Sequence, residues 1–135
     1  MIVIDASALA KYLLREENWE AVEDYLLKKV YSLDLAVKEV ANAIWKHVVV
    51  RKVITADMGL NIYRQLRRLV HENIVVLESQ DRYIDKAVEL ALEHNITVYD
   101  SLYIAQALKY GELLTGDEKQ ASISEKLGIN THYIK

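Results

Sequence analysis

Met1-Ile2-Val3-Ile4-Asp5-Ala6-Ser7 opens the chain with three β-branched residues, a carboxylate and two small residues. A short apolar run of that kind suits a buried strand. An acid at its carboxyl end stands where open α/β sheets bind ligands. The pattern recurs twice. Ile96-Thr97-Val98-Tyr99 runs into Asp100, and Leu113-Leu114-Thr115-Gly116 runs into Asp117.

Between these runs the pattern turns helical. The spacing predicts helices from about Ser7 to Arg15 and from Trp19 to Lys28, the second with Ala21, Val22, Tyr25 and Leu26 as its apolar stripe. Val30-Tyr31-Ser32-Leu33 reads as a weak strand, and Asp34 as the cap of a helix running toward Val49 or Val50. Thr55 caps the next helix, in which Met58, Ile62, Leu66 and Leu69 share a face. Ile74-Val75-Val76-Leu77 is the clearest strand, and Ser79 or Asp81 leads a helix to His94. Asp100 opens a helix ending near Gly111, Glu112-Leu113-Leu114-Thr115 is the last strand, and Asp117 precedes a short helix closed near Gly128.

Strands alternating with helices predict an α/β fold, a central mainly parallel sheet covered by helices on both faces in three α/β/α layers. The alternation lapses between Leu33 and Ile74, where two helices occur without a strand. At 135 residues the chain suits one domain, 1–135, and can bury roughly two thirds of its unfolded surface. Apolar residues make up 52% and charged residues 27%, a composition that excludes disorder.

With no cysteine, thiol catalysis, zinc–thiolate sites and disulfides are excluded. Without a leader-like start or an apolar run near ~20 residues, the chain reads as soluble and cytoplasmic, with no membrane partner. A formal net charge of −3 argues against a broad basic groove, though not against an enzyme whose metal ions meet phosphate directly.

Asp5, Asp100 and Asp117 can meet at one sheet edge, where they repel one another unless protons or cations intervene. Hard cations such as Mg²⁺ and Mn²⁺ favour such oxygen ligands. Each acid also has a structural explanation. Asp100 and Asp117 suit helix caps, Gln120 completing a reciprocal cap with Asp117, and Asp5 suits a local turn. Glu39 stands in the apolar stretch Leu35 to Trp45, sharing a face with Leu35, Ala36, Asn42 and Ala43. A partly buried glutamate there needs a partner.

Asp5-Ala6-Ser7, Glu39 in its apolar helix, Tyr99-Asp100-Ser101-Leu102-Tyr103-Ile104-Ala105-Gln106-Ala107, and Leu114-Thr115-Gly116-Asp117 together resemble the four acidic motifs of PIN-domain ribonucleases. The likeness covers nearly the whole chain and is greatest to the VapC toxins of prokaryotic toxin–antitoxin pairs. It implies a PIN-like fold and a metal-dependent endoribonuclease. Asp5, Glu39, Asp100 and Asp117 would form the family's acidic quartet, catalytic and binding Mg²⁺ or Mn²⁺, with Ser7 and Thr115 as supporting polar groups. Ser101 stands where alanine is more usual, as a further supporting position. The resemblance also implies a homodimer and a cognate VapB-type antitoxin.

For an RNA substrate, Lys11, Arg15, Lys46, Arg51 and Lys52 are the candidate backbone contacts, with ordinary surface charge as the competing explanation for each. Tyr12, Trp19, Trp45 and Tyr103 offer stacking surfaces, but their helical spacing favours core or dimer packing. The four histidines form no paired metal motif, and Ser7 has no evident histidine partner for nucleophilic catalysis. Two other readings remain open. One is a PIN-like binding or regulatory domain without catalysis. The other is a phosphotransferase with Asp5 as nucleophile, weakened by Ser7 rather than a second Asp at the +2 position.

Overall fold

The computed structural model describes residues 1–135. The chain runs through β1 (Ile2–Ile4), α1 (Ala6–Leu13), α2 (Trp19–Leu26), β2 (Val30–Leu33) and α3 (Leu35–Trp45). It continues through α4 (Ala56–His71), β3 (Val75–Glu78), α5 (Ile84–His94) and α6 (Val98–Tyr110). It closes with β4 (Glu112–Thr115), α7 (Glu118–Lys126) and β5 (Asn130–Tyr133). A π-helical turn, Lys46–Val50, prolongs α3, and a 3₁₀ turn, Gln80–Arg82, follows β3.

The five strands form one all-parallel sheet in the order β3-β2-β1-β4-β5. The three inner strands carry the short apolar runs, and Val3, Ile4, Val30, Leu113 and Leu114 are wholly buried because helices cover both sides. Helix α1 contacts α2, α3 and α4, whereas α6 contacts α5 and α7. Right-handed crossovers put these groups on opposite faces, since the strand order proceeds one way from β1 to β3 and the other way from β1 to β5. The expected three-layer α/β/α architecture is therefore present.

Between β1 and β4 the strand order reverses, and the carboxyl ends of these two strands border the crevice. The Asp5 N–H donates to Leu114 O at 3.2 Å, so the first acid begins on the sheet itself. The Ser32 hydroxyl, from β2, donates to Ile4 O at 2.6 Å and fixes the end of β1 from its other side.

Three local expectations are corrected. Ile96–Tyr99 is not a strand: Asn95 adopts a left-handed conformation (φ 56°) that ends α5, and Thr97 caps α6 by accepting from the Asp100 N–H at 3.1 Å. Asp100 thus lies in the first turn of a helix rather than after a strand. Asp34 does not cap α3 with its side chain; its Oδ1 accepts from the Gln80 N–H instead. Asn130–Tyr133 is a fifth strand with no apolar run, formed because it needs only β4 as a neighbour at the sheet edge.

Candidate active site

Asp5 is wholly buried at the start of α1. Its Oδ1 accepts from the Ala8 N–H at 2.9 Å and the Ser7 hydroxyl at 2.7 Å. Its Oδ2 accepts from the Thr115 hydroxyl, at the end of β4, at 2.5 Å. The two hydroxyls are themselves held from the next turn, Ser7 Oγ by the Gly116 N–H at 2.8 Å and Thr115 Oγ1 by the Asp117 N–H at 3.0 Å. Gly116 is tightly placed: a Cβ there would lie 3.3 Å from Lys11 Cε and 3.4 Å from Ser7 Oγ.

All the donors to Asp5 are neutral. Burial therefore dominates and pushes its carboxyl up to about 6, against the pull of the Thr115, Ala8 and Ser7 hydrogen bonds. The charge of Asp117 adds to the rise.

The other three acids are partly exposed and reach the crevice from separate helices. Asp117 caps α7, its Oδ1 accepting from the Gln120 N–H at 2.9 Å. The Gln120 side chain does not return to complete a reciprocal cap; its Nε2 donates to Asp100 Oδ1 at 3.1 Å. Burial and then the charge of Asp117 raise Asp100. Glu39, on α3, finds the partner its partial burial requires in Tyr103, whose hydroxyl donates to Oε1 at 2.6 Å. Burial raises Glu39, and the charge of Asp100 adds to it. Each acid thus feels another, from Asp5 through Asp117 and Asp100 to Glu39.

No three acidic or imidazole side chains close into a metal cage by themselves. The donor set nevertheless fits a hard divalent cation. It is all oxygen, it has no lysine or arginine salt bridge, and its members disfavour one another's ionisation. Mg²⁺ commonly takes only one or two carboxylates and completes its shell with water and substrate phosphate.

Two clefts flank the acids. One, about 500 Å³, is lined by Lys38, Glu39, Asn42, Lys46 and the exposed Tyr99, among others. The second, about 270 Å³, brings Lys11, Lys46, His47 and Arg51 beside Ser7 and Gly116. Lys46 and Ala43 belong to both, so the clefts adjoin.

Of the candidate cations, Lys11, Lys46 and Arg51 are gathered here. Lys52 lines neither cleft. Arg15 is engaged over the rings of Trp19 and Tyr12, at 4.1 and 4.8 Å. Ser101 faces away from the acids, its buried hydroxyl donating to Ala87 O at 2.7 Å and to Val98 O. Among the aromatic candidates, Tyr103 is buried, Tyr12 packs against Trp19, and Trp45 is half exposed in an apolar groove between α3 and α4. Reasoning from sequence missed Tyr103 as the partner of Glu39 and the Gln120 side chain as the partner of Asp100. Their only signal was a spacing of three residues after Asp100 and Asp117.

Known proteins share this sequence pattern and this fold. The PIN domain family model matches residues 2–126. The chain is 37% identical to Ribonuclease VapC3 of Pyrobaculum aerophilum over 123 residues, 89% of this chain and 92% of that protein. It is 27% identical to Exonuclease VapC9 of the same organism over 128 residues, covering 95% and 88%. The crystal structure of PAE2754 from Pyrobaculum aerophilum superposes with a TM-score of 0.68 at 22% identity, covering 96% of this chain and 82% of that one, a likeness of fold. The strand order, the acids around its reversal point and these matches agree that the chain belongs to the PIN-domain family.

Proposed function

We propose that this chain is a Mg²⁺- or Mn²⁺-dependent endoribonuclease, the toxin of a VapC–VapB type pair, folded as one domain over 1–135. The observation that carries the reading is the wholly buried Asp5, bound only by neutral donors and electrostatically linked to Asp117. A buried carboxylate in that state needs a proton or a cation, and three more acids stand around it to share one. The naming of VapC3 as a ribonuclease supports RNA as the substrate class.

Asp5, Glu39, Asp100 and Asp117 are the residues that would hold the cation. Bound there, a divalent cation would supply a Lewis acid for the scissile phosphate and would lower the pKa of a coordinated water. Ser7 and Thr115 hold both oxygens of Asp5 and so fix its orientation. Gln120 orients Asp100. Lys11, Lys46 and Arg51 offer positive charge to RNA phosphates along the adjoining clefts, with weaker claims for Arg15 and Lys52.

A VapB-type antitoxin and a second copy of the chain are the proposed protein partners, and the cytoplasm the proposed location; no helix is long and apolar enough to cross a membrane. The alternative is a catalytically silent PIN-like binding or regulatory domain.

Cleavage of an end-labelled panel of structured RNAs in Mn²⁺, Mg²⁺ or EDTA separates the two. The nuclease reading expects metal-dependent cutting that is lost in folded Asp5→Asn and Asp100→Asn variants. No cutting by a folded, metal-bound protein freed of antitoxin would favour the silent domain.

A further inference from the structure

Tyr103 is only 1% exposed, and its ring belongs to the hydrophobic core. Packing alone would be served by phenylalanine, which fills nearly the same space without burying a hydroxyl. The hydroxyl therefore calls for a separate explanation. It donates to Glu39 Oε1 at 2.6 Å across 64 residues of sequence, from a helix of one layer to a helix of the other. The two helices pack on the inner strands β1 and β2, and the charges of Asp5 and Asp100 reach the hydroxyl.

The chemistry of the donor is also informative. Lysine or arginine in this position would neutralise Glu39 and compete with any cation for it. A phenol supplies a directional donor and no charge. It engages Oε1 and leaves Oε2 for another ligand. Asp100 stands one turn earlier on the same helix, so one element carries both an acid and the clamp for a second acid.

We propose that Tyr103 is a positioning residue whose hydroxyl holds the Glu39 carboxylate over the crevice and directs its free oxygen to the divalent cation. The inference rests on the metal-dependent reading above. It concerns the cation, not the RNA, and can be tested without a substrate. Ligand-orienting hydrogen bonds of this kind typically change metal affinity by roughly 10- to 100-fold when removed.

The experiment is calorimetric titration of Mn²⁺ into wild-type protein, Tyr103→Phe, Glu39→Gln and the double variant, each first melted in EDTA. Tyr103→Phe is expected to melt within a few degrees of wild type and to bind Mn²⁺ roughly tenfold or more weakly. In the Glu39→Gln background the same change should have no further effect, because the carboxylate that the hydroxyl would direct to the cation is gone. Unchanged affinity in folded Tyr103→Phe, or an undiminished loss in the Glu39→Gln background, would overturn the proposal. If Tyr103→Phe does not fold, Glu39→Asp withdraws the carboxylate by one methylene and leaves Tyr103 intact. Weakened Mn²⁺ binding is then expected, and wild-type affinity would overturn the proposal. Failure of the wild-type protein to bind Mn²⁺ would remove the metal site and this inference together. Binding by wild type with no loss in Tyr103→Phe would remove the inference alone.

Discussion

Asp5, wholly buried, and Glu78, partly buried, are carboxylates at the carboxyl end of the same parallel sheet, yet the chain treats them oppositely. Glu78, at the end of β3, accepts from the hydroxyls of Tyr83 and Tyr110 at 2.6 and 2.7 Å and from Gln106 Nε2 at 3.0 Å. Arg82 lies 3.0 Å away and Lys109 3.9 Å. Burial alone would raise its carboxyl, but those hydrogen bonds and the Lys109 charge outweigh burial and hold it below the usual glutamate range. Asp5 has three neutral donors and an acidic neighbour, and burial wins. A strand-end acid is therefore not a metal ligand by position alone. The distinction lies in the depth of burial and the sign of the nearby charge: both acids have three neutral donors, but Glu78 also has Arg82 and Lys109 beside it, whereas Asp5 is wholly buried next to Asp117.

The comparison is broken most directly at Asp5. Asp5→Asn keeps the shape of the side chain and removes its charge, so metal-dependent RNA cleavage should fall to background. The same variant should be more stable than wild type in EDTA at pH 7. The rise of Asp5 from 3.8 to about 6 corresponds to a native-state penalty of roughly 3 kcal/mol as an upper bound. The folded chain binds this proton more tightly than the unfolded chain. The penalty is therefore full above about pH 6 and is relieved as pH falls toward 3.8. Melts of both proteins from pH 7.5 to 4.5 should converge in acid; parallel curves would contradict the assignment.

Glu78→Gln is the opposite case. It removes the charge and one of the two acceptor oxygens that these hydrogen bonds use, and should cost roughly 2 kcal/mol at pH 7, read by urea unfolding. Mn²⁺ affinity should stay near wild type. Gln120→Met sharpens the contrast further. Gln120 is buried and its Oε1 has no partner, so an apolar replacement of similar length should leave unfolding stability unchanged or higher. Loss of the bond to Asp100 should still lower the metal-dependent rate by about tenfold. The smallest effect is expected at Ser101, which ties α6 to Ala87 of α5. Ser101→Ala should cost about 1 kcal/mol of stability and leave the cleavage rate unaltered.

The parts legible in the sequence were those set by neighbours along the chain. Ile2-Val3-Ile4 could only be a buried strand in this context, Asp117 carries its cap partner three residues away, and Thr55 does cap α4. Ile96-Thr97-Val98 misled because β-branched residues resemble a strand, while the deciding features were a left-handed Asn95 and a capping Thr97. The polar β5 was invisible because an edge strand needs no apolar run.

At the candidate site, residues near the acids in sequence could be read, as Ser7 beside Asp5 and Gln120 after Asp117, but the distant pairings could not. Tyr103 meets Glu39 across 64 residues, and Gln120 turns from its own cap to Asp100. Nor does any local pattern announce that the Arg15 guanidinium lies over Trp19. Such pairings arise from packing two helical layers over one sheet, which no local pattern encodes.

The central claim is that the crevice at Asp5 awaits a cation and the cluster at Glu78 does not. Thermal unfolding at pH 7 in saturating Mn²⁺ against EDTA tests it directly, because a ligand that binds only the folded chain raises its melting temperature. Mn²⁺ should raise the melting temperature of wild type and of Glu78→Gln by similar amounts and leave Asp5→Asn nearly unmoved. An equal rise in all three proteins, or a rise lost only in Glu78→Gln, would contradict the account.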